Sequence, residues 1–334
     1  MVLAGCAGSR QERKRLCDHE DILLIARGLM PASAKLTGSV VKNSAPVVFV
    51  SFVALLFSLP AAATDRSSRT LTAVQVTDPP VIDGKATDSA WSKAASLTTF
   101  DPLAKTQLEI RSVYTKSHVY ILATFPDRSE NRDHKTLVWV PDQKRYRIGP
   151  DREDTFVLKW SMEAFPVDLR IDAENSYRAD IWYWKSHRTD HAGFADDKMH
   201  VYSTIRSPKA KKLLSRNGTR YYLTRPGDSG GSAYRTEIQA QHRGDRTPLF
   251  ALSAPTGSRA DVRAKGTWKD GRWTVEFARK LKTGNSDDIQ LDPGRQYAFG
   301  VSRFEIAGRR PNPKIQEPLF GSGEITELLT FRFD

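Results

Sequence analysis

Apolar and polar positions alternate along most of the chain with a period of two, the mark of strands buried on one face. The alternation predicts strands over 71–76, 108–114, 118–125, 137–140, 155–161, 179–184, 263–269, 272–279, 295–304 and 327–333. Thr115-Lys-Ser117 separates two of them and Asp270-Gly271 another two. Asp-Gly is the pair that favours a type I′ hairpin turn. A helical period is confined to one short turn after Asp88, where Trp91 would pin the turn to a core. Many short strands with no long amphipathic helix predict an all-β fold, an immunoglobulin-like or jelly-roll β-sandwich with short helical turns. The pattern weakens over 209–258, which is rich in Gly, Arg, Ser and Lys. That stretch reads as an insertion or long surface excursion, with one expected strand over 220–224.

The amino-terminal fifth changes the picture of where the protein resides. Residues 45–60 are an uncharged apolar run, preceded by Lys35 and Lys42 and followed by Ala61-Ala62-Ala63. This is the layout of a secretory signal peptide with cleavage near Ala63. About sixteen apolar residues are too few for a stable membrane span. Residues 1–63 therefore read as extension plus signal, with Met30 a natural start for the signal itself. Residues 64–334 read as one sandwich domain, periplasmic or secreted, with no membrane span after cleavage. Both cysteines, Cys6 and Cys17, lie upstream of that cut. The exported chain then has no disulfide, no cysteine zinc site, no cysteine-held iron–sulfur cluster and no covalent haem. The net charge of +12 is spread along the chain. With export it points to a solvated surface, or to an acidic partner or membrane surface, and not to nucleic acid.

Candidate chemistry concentrates in 178–197. Trp182 and Trp184, two apart, share one face of a strand. They form either a flat apolar wall for a planar ligand or part of a sandwich core. His187, His191, Asp196 and Asp197 follow in an expected polar loop. His187 and His191 are four apart, yet outside a helix that spacing does not pair them on zinc. The acidic pair Asp196-Asp197 offers the oxygens that calcium takes, and also the composition of a loop cap or surface ion pair. Gly227-Asp-Ser-Gly-Gly231 matches the nucleophile segment of chymotrypsin-type proteases, but the histidine segment of that family is missing and the pentapeptide reads as a loop. No phosphate-binding loop or nucleotide fingerprint occurs.

Several segments together resemble a known family. Val81-Ile-Asp-Gly-Lys-Ala-Thr-Asp-Ser-Ala-Trp-Ser-Lys-Ala94 resembles the opening shared by family-nine carbohydrate-binding modules, DOMON-like domains and the haem-binding subunit of ethylbenzene dehydrogenase. Asp151-Arg-Glu-Asp-Thr-Phe-Val-Leu-Lys-Trp160, Ala179-Asp-Ile-Trp-Tyr-Trp-Lys185 and Gly193-Phe-Ala-Asp-Asp197 are similar to the ethylbenzene dehydrogenase γ-type, or DMSO-reductase-like, haem-binding domain. So are Trp273-Thr-Val-Glu-Phe-Ala-Arg-Lys-Leu-Lys-Thr-Gly284 and Tyr297-Ala-Phe-Gly-Val301.

The resemblance implies non-covalent haem b with methionine and lysine axial ligands. It also implies electron transfer, with no bond chemistry of the protein's own, as a subunit or redox partner of a periplasmic molybdenum enzyme. The family's methionine stands shortly before the Trp-x-Trp strand. Residues 168–177 contain none, which leaves Met162 upstream; Met199 lies on the other side of that strand. Lys314 is the best-placed lysine and Lys280 the second. His187 or His191 is the substitute ligand, and Trp182 and Trp184 would wall the haem. The alternative is a carbohydrate-binding sandwich that uses the same two tryptophans as a platform.

Overall fold

Strand pairing follows the alternation closely. A computed structural model describes residues 69–101, 106–304 and 327–334. In chain order the strands are β1 (Thr70–Gln75), β2 (Leu97–Asp101), β3 (Thr106–Tyr114), β4 (His118–Pro126), β5 (Leu137–Val140), β6 (Arg145–Ile148), β7 (Thr155–Ser161), β8 (Tyr177–Lys185) and β9 (Asp196–Ser203). They continue as β10 (Lys211–Leu214), β11 (Arg220–Thr224), β12 (Tyr234–Thr236), β13 (Arg246–Thr247), β14 (Phe250–Leu252), β15 (Arg263–Lys269), β16 (Arg272–Lys280), β17 (Tyr297–Phe304) and β18 (Leu329–Phe333). Residues 1–63, with the expected signal, and Lys314 lie outside the described residues.

The strands form a sandwich whose two sheets share a corner strand. The first sheet runs β10-β11-β9-β8-β7-β17-β18-β1, and the second β15-β16-β4-β3 with β2 on the free edge of β3. The corner is β1: Thr70 to Ala73 pair with Thr330 to Phe333, and then Val74 and Gln75 pair with Val113 and Tyr114. A strand that changes sheets in mid-course joins the layers without a loop. Asp270 and Gly271 both have positive φ, at 49° and 77°, as the type I′ turn between β15 and β16 requires.

The inter-sheet core takes Phe156, Leu158, Trp160, Trp182, Trp184, Phe299 and Phe331 from the first sheet. Against them stand Ile110, Ile121, Phe125, Trp273, Val275 and Phe277 of the second. A second core lies on the outer face of the first sheet, where Val157, Tyr177, Ile181 and Tyr202 pack under Leu169 and Ala173. Strands β7 and β8 are thus covered on both faces, which is why their sequence is nearly continuous in bulky residues. A third cluster holds the one-turn helix Ala90–Lys93 to the outer face of the second sheet through Trp91. Trp91 Nε1 donates to Glu276 at 2.8 Å, and the same carboxylate accepts the backbone N–H groups of Asp83 and Gly84 at 3.0 and 2.7 Å.

Two expectations need correction. Asp196 and Asp197 are not in a surface loop; they open β9 and are fully buried. The strand escapes pattern reading because its buried charges are compensated by partners distant in sequence. Lys185 Nζ lies 2.7 Å from Asp196, and Arg259 reaches the same carboxylate. The 209–258 stretch is also more than a surface excursion. Strands β10 and β11 extend the first sheet, with Leu213, Tyr221 and Leu223 buried, and β13 pairs with β5.

Candidate functional site

A cleft of about 760 Å³ opens at the end of the sandwich where β7 stops and β17 begins. Its wall includes Met162, Phe165, Arg178, Ile289, Arg295 and Tyr297. Met162 continues β7 by one residue: its backbone N–H donates to the Arg178 carbonyl at 3.1 Å. Because side chains alternate along a strand, this puts Met162 on the same side as Trp160, and it packs half-buried against the inter-sheet core. Tyr297 is buried, and its hydroxyl accepts the Asp292 N–H at 2.7 Å. Burial pushes that hydroxyl's pKa up, so it stays protonated at neutral pH. Arg178 and Arg295 are exposed at the mouth, and Arg178 Nε donates to Glu163 at 2.9 Å.

The chemistry of this set is that of a slot for a large, partly apolar ligand with negative ends. The volume lies inside the range of small-molecule and cofactor pockets. Met162 contributes a neutral, soft thioether donor of the kind that ligates haem iron. Arg178 is already ion-paired with Glu163 in the same wall, which leaves the Arg295 guanidinium at the mouth to suit a carboxylate. The residues present therefore fit a haem, with Met162 to hold the iron and Arg295 a propionate.

The other sequence candidates are distributed elsewhere. Trp182 and Trp184 are each 0 % exposed. Trp182 lies 5.0 Å from the Trp160 ring, with the Arg279 guanidinium 5.3 Å above it. Trp184 meets Trp273 edge-on at 4.9 Å and donates its indole N–H to Asp190 at 2.8 Å. Of the two sequence alternatives for this pair, the core is where the rings sit. His187 and His191 come together, but around a separate pocket of about 170 Å³ shared with Arg188, Tyr234 and Phe250. That volume is below the range of cofactor sites. His187 Nδ1 lies 2.6 Å from the Arg132 carbonyl, an acceptor, so this nitrogen carries the proton. Lys280 ends β16 exposed, opposite His118, and lines neither cavity.

Sequence reasoning missed Phe165, Ile289 and Arg295, which come from three separate segments with no shared motif. Tyr297 was in view as the first residue of the Tyr297–Val301 segment, but nothing there marked it as facing a cleft. Arg178 was visible as the first residue of the tryptophan-rich stretch, yet nothing in the sequence marked it as facing a cleft.

Comparison with known proteins adds the family. Two structures of a family 9 carbohydrate-binding module from Caldicellulosiruptor kristjanssonii are similar to the chain. One is in complex with cellotriose, at 12 % identity over 79 % of this chain and 93 % of that one, with a TM-score of 0.36. The other is in complex with glucose, at 10 % identity over 79 % and 94 %, with a TM-score of 0.34. No curated protein matches the chain. The family model described as ethylbenzene dehydrogenase matches residues 88–310, about two thirds of the sequence, and the chain therefore belongs to the ethylbenzene dehydrogenase family.

Proposed function

We propose that the protein is a haem b-binding, electron-transferring member of this family, with the Met162 cleft as the haem site. The observation that carries the reading is the thioether of Met162 set in the wall of a cofactor-sized cleft at the open end of the sandwich. When bound, the haem would supply a one-electron couple at its iron. This chain's residues would do the rest. Met162 would hold the iron and tune the potential, and Arg295 would anchor a propionate at the mouth. Ile289 and Tyr297 would exclude water from the inner edge. Lys314, outside the described residues, is the second ligand implied by the resemblance. The electron partner would be a redox protein or molybdenum enzyme in the compartment reached through the signal peptide. The burial of Trp182 and Trp184 removes them both as a sugar platform and as a wall of the haem, so neither reading draws support from them.

The test is the visible spectrum of the exported protein from a haem-supplied host, before and after dithionite. A sharp Soret band with α and β bands on reduction, and haem released by acid acetone, is the expected result. Met162→Ala should weaken haem retention at least tenfold and shift the reduced spectrum, while Met199→Ala leaves both unchanged. A colourless protein that also ignores added haemin overturns the proposal, and calorimetry with cello-oligosaccharides then becomes the next measurement.

A further inference from the structure

Behind the cleft, four carboxylates from four segments converge in the sandwich interior. Asp180 comes from β8, Asp197 from β9, Asp288 from the 283–291 loop and Asp228 from the loop after β11. Oxygens of Asp180, Asp197 and Asp288 all lie within 4.8 Å of one another. This is the separation of two oxygens on opposite sides of a calcium ion at about 2.4 Å each. Asp180 and Asp197 are 0 % exposed, Asp288 3 % and Asp228 6 %.

Arg279, on β16 of the facing sheet, contacts Asp180 and Asp288 at 3.2 Å each. That single guanidinium leaves much of the cluster unserved. Both oxygens of Asp197 and both of Asp228 receive no hydrogen bond from the described residues. The independent observation is Asp197, which is fully buried with neither carboxylate oxygen served. Asp228 comes from a different loop, is buried beside it, and its backbone N–H donates to the Asp197 carbonyl at 3.3 Å. Two acceptors placed together without a donor are costly in a desolvated site unless a cation or a proton lies between them.

The surroundings hold this arrangement in place. Asp287 accepts the Ser229 N–H and the Ser258 hydroxyl, both at 2.9 Å, which ties together the loops carrying Asp228 and Asp288. The Ile289 N–H donates to Asp180 at 3.0 Å, fixing the Asp288 loop against β8. The Gly227–Gly231 pentapeptide finds its role here: a Cβ on Gly230 would lie 1.8 Å from the Thr256 carbonyl, so its glycine serves a tight backbone contact beside Asp228.

We infer that Asp180, Asp197, Asp228 and Asp288 form a calcium site that clasps β8 and β9 to the loops on the far side of the cleft. The donor set is oxygen only, which selects a hard cation. The inter-sheet position makes the site structural, and Asp288 joins it to the cleft wall that also contains Met162. The inference does not depend on haem.

The experiment uses haem-free protein stripped with EDTA and desalted. Terbium is the first probe, because Trp182 is the cross-strand partner of Asp197 and would sensitise a lanthanide bound there. Tryptophan-excited terbium emission should appear, and calcium should displace it at least tenfold more effectively than magnesium. Calcium at a hundred times its Kd should raise Tm by roughly 5 °C or more. Asp228→Asn should weaken calcium affinity at least tenfold with an unchanged far-UV spectrum; Asp228 is the variant of choice because it lies in a loop. Absence of terbium emission together with no calcium-dependent Tm shift overturns the inference. Equal displacement by magnesium overturns the assignment to calcium, and undiminished affinity in Asp228→Asn removes that residue's cluster as the site.

Discussion

Gly266→Ala tests whether Trp184 is a fixed core element or a movable ligand wall. A Cβ built on Gly266 would stand 2.3 Å from Trp184 Cζ2, 2.9 Å from Cε2 and 3.1 Å from Cη2. Carbon atoms pack at about 3.5–4.0 Å, so more than 1 Å of movement is required. The ring cannot easily supply it. Its N–H is tied to Asp190 at 2.8 Å, and Trp273 stands edge-on at 4.9 Å. The backbone is held as well, because the Gly266 N–H donates to the same Asp190 carboxylate at 2.6 Å. Overpacking of this kind costs about 1–3 kcal/mol and occasionally more, and here both sides are tethered, so the upper end is expected. At roughly 2–4 °C per kcal/mol for a domain of this size class, Tm should fall by roughly 6–12 °C. In an unstrained strand position Gly→Ala would instead favour folding. Gly218→Ala is the control: it has positive φ, at 81°, but nothing within 4 Å of its Cβ, so it isolates the backbone contribution at about 1–2 kcal/mol. Calorimetry of the two variants decides. A Gly266→Ala protein within 2 °C of the parent would show that Trp184 swings aside, and the account of both tryptophans as rigid core would be wrong.

Other outcomes follow from the same contacts. Glu276→Ala strands three donors, Trp91 Nε1 and the N–H groups of Asp83 and Gly84; at about 1–3 kcal/mol for each buried orphan, a loss of at least 3 kcal/mol in urea denaturation is expected, whereas under 1 kcal/mol would mean the 83–91 segment is not anchored there. Asp196→Ala removes the carboxylate that buried Lys185 shares with Arg259 and Lys198, so a cost of about 3–5 kcal/mol should appear, and a neutral result would refute the role of this cluster in keeping β9 buried. His134 is driven well below its ordinary pKa by burial and then by Arg188, Lys135, Arg152 and Lys185, although Glu153 lies 3.3 Å away. The unfolded imidazole takes up a proton near pH 6.5 and the folded one does not, so stability is full above that value and falls as pH drops. The loss reaches at most about 2 kcal/mol at pH 5. A His134→Gln variant should lose this slope, and parallel pH profiles for the two proteins would overturn the assignment.

The strands that alternation predicted are those with one face toward apolar side chains and one toward water, or with both faces apolar. For such strands the local pattern and the tertiary burial carry the same information. Asp270-Gly271 was equally legible, because a turn with two positive φ values restricts the residues that can occupy it. Strand β9 shows where local reading stops. Its opening Asp-Asp-Lys looks like solvent-exposed chain, and it is Lys185 and Arg259, brought from elsewhere, that make burial of Asp196 tolerable. Trp182 and Trp184 were assigned to one face correctly by period two, but that period is silent on whether the face meets solvent, a ligand or a second sheet.

By itself, the sequence determined the all-β class, most strand positions, the hairpin at Asp270-Gly271 and, through its motifs, the family. These are properties of residues near one another along the chain. The tertiary structure alone decided that Met162 borders a cleft with Arg295 and Tyr297. It alone separated His187 and His191 into a smaller pocket and gathered Asp180, Asp197 and Asp288 from three segments around Arg279. Cavities and charge clusters are made by residues whose separation in sequence is arbitrary, and the closing of one sheet over the other sets which of them meet.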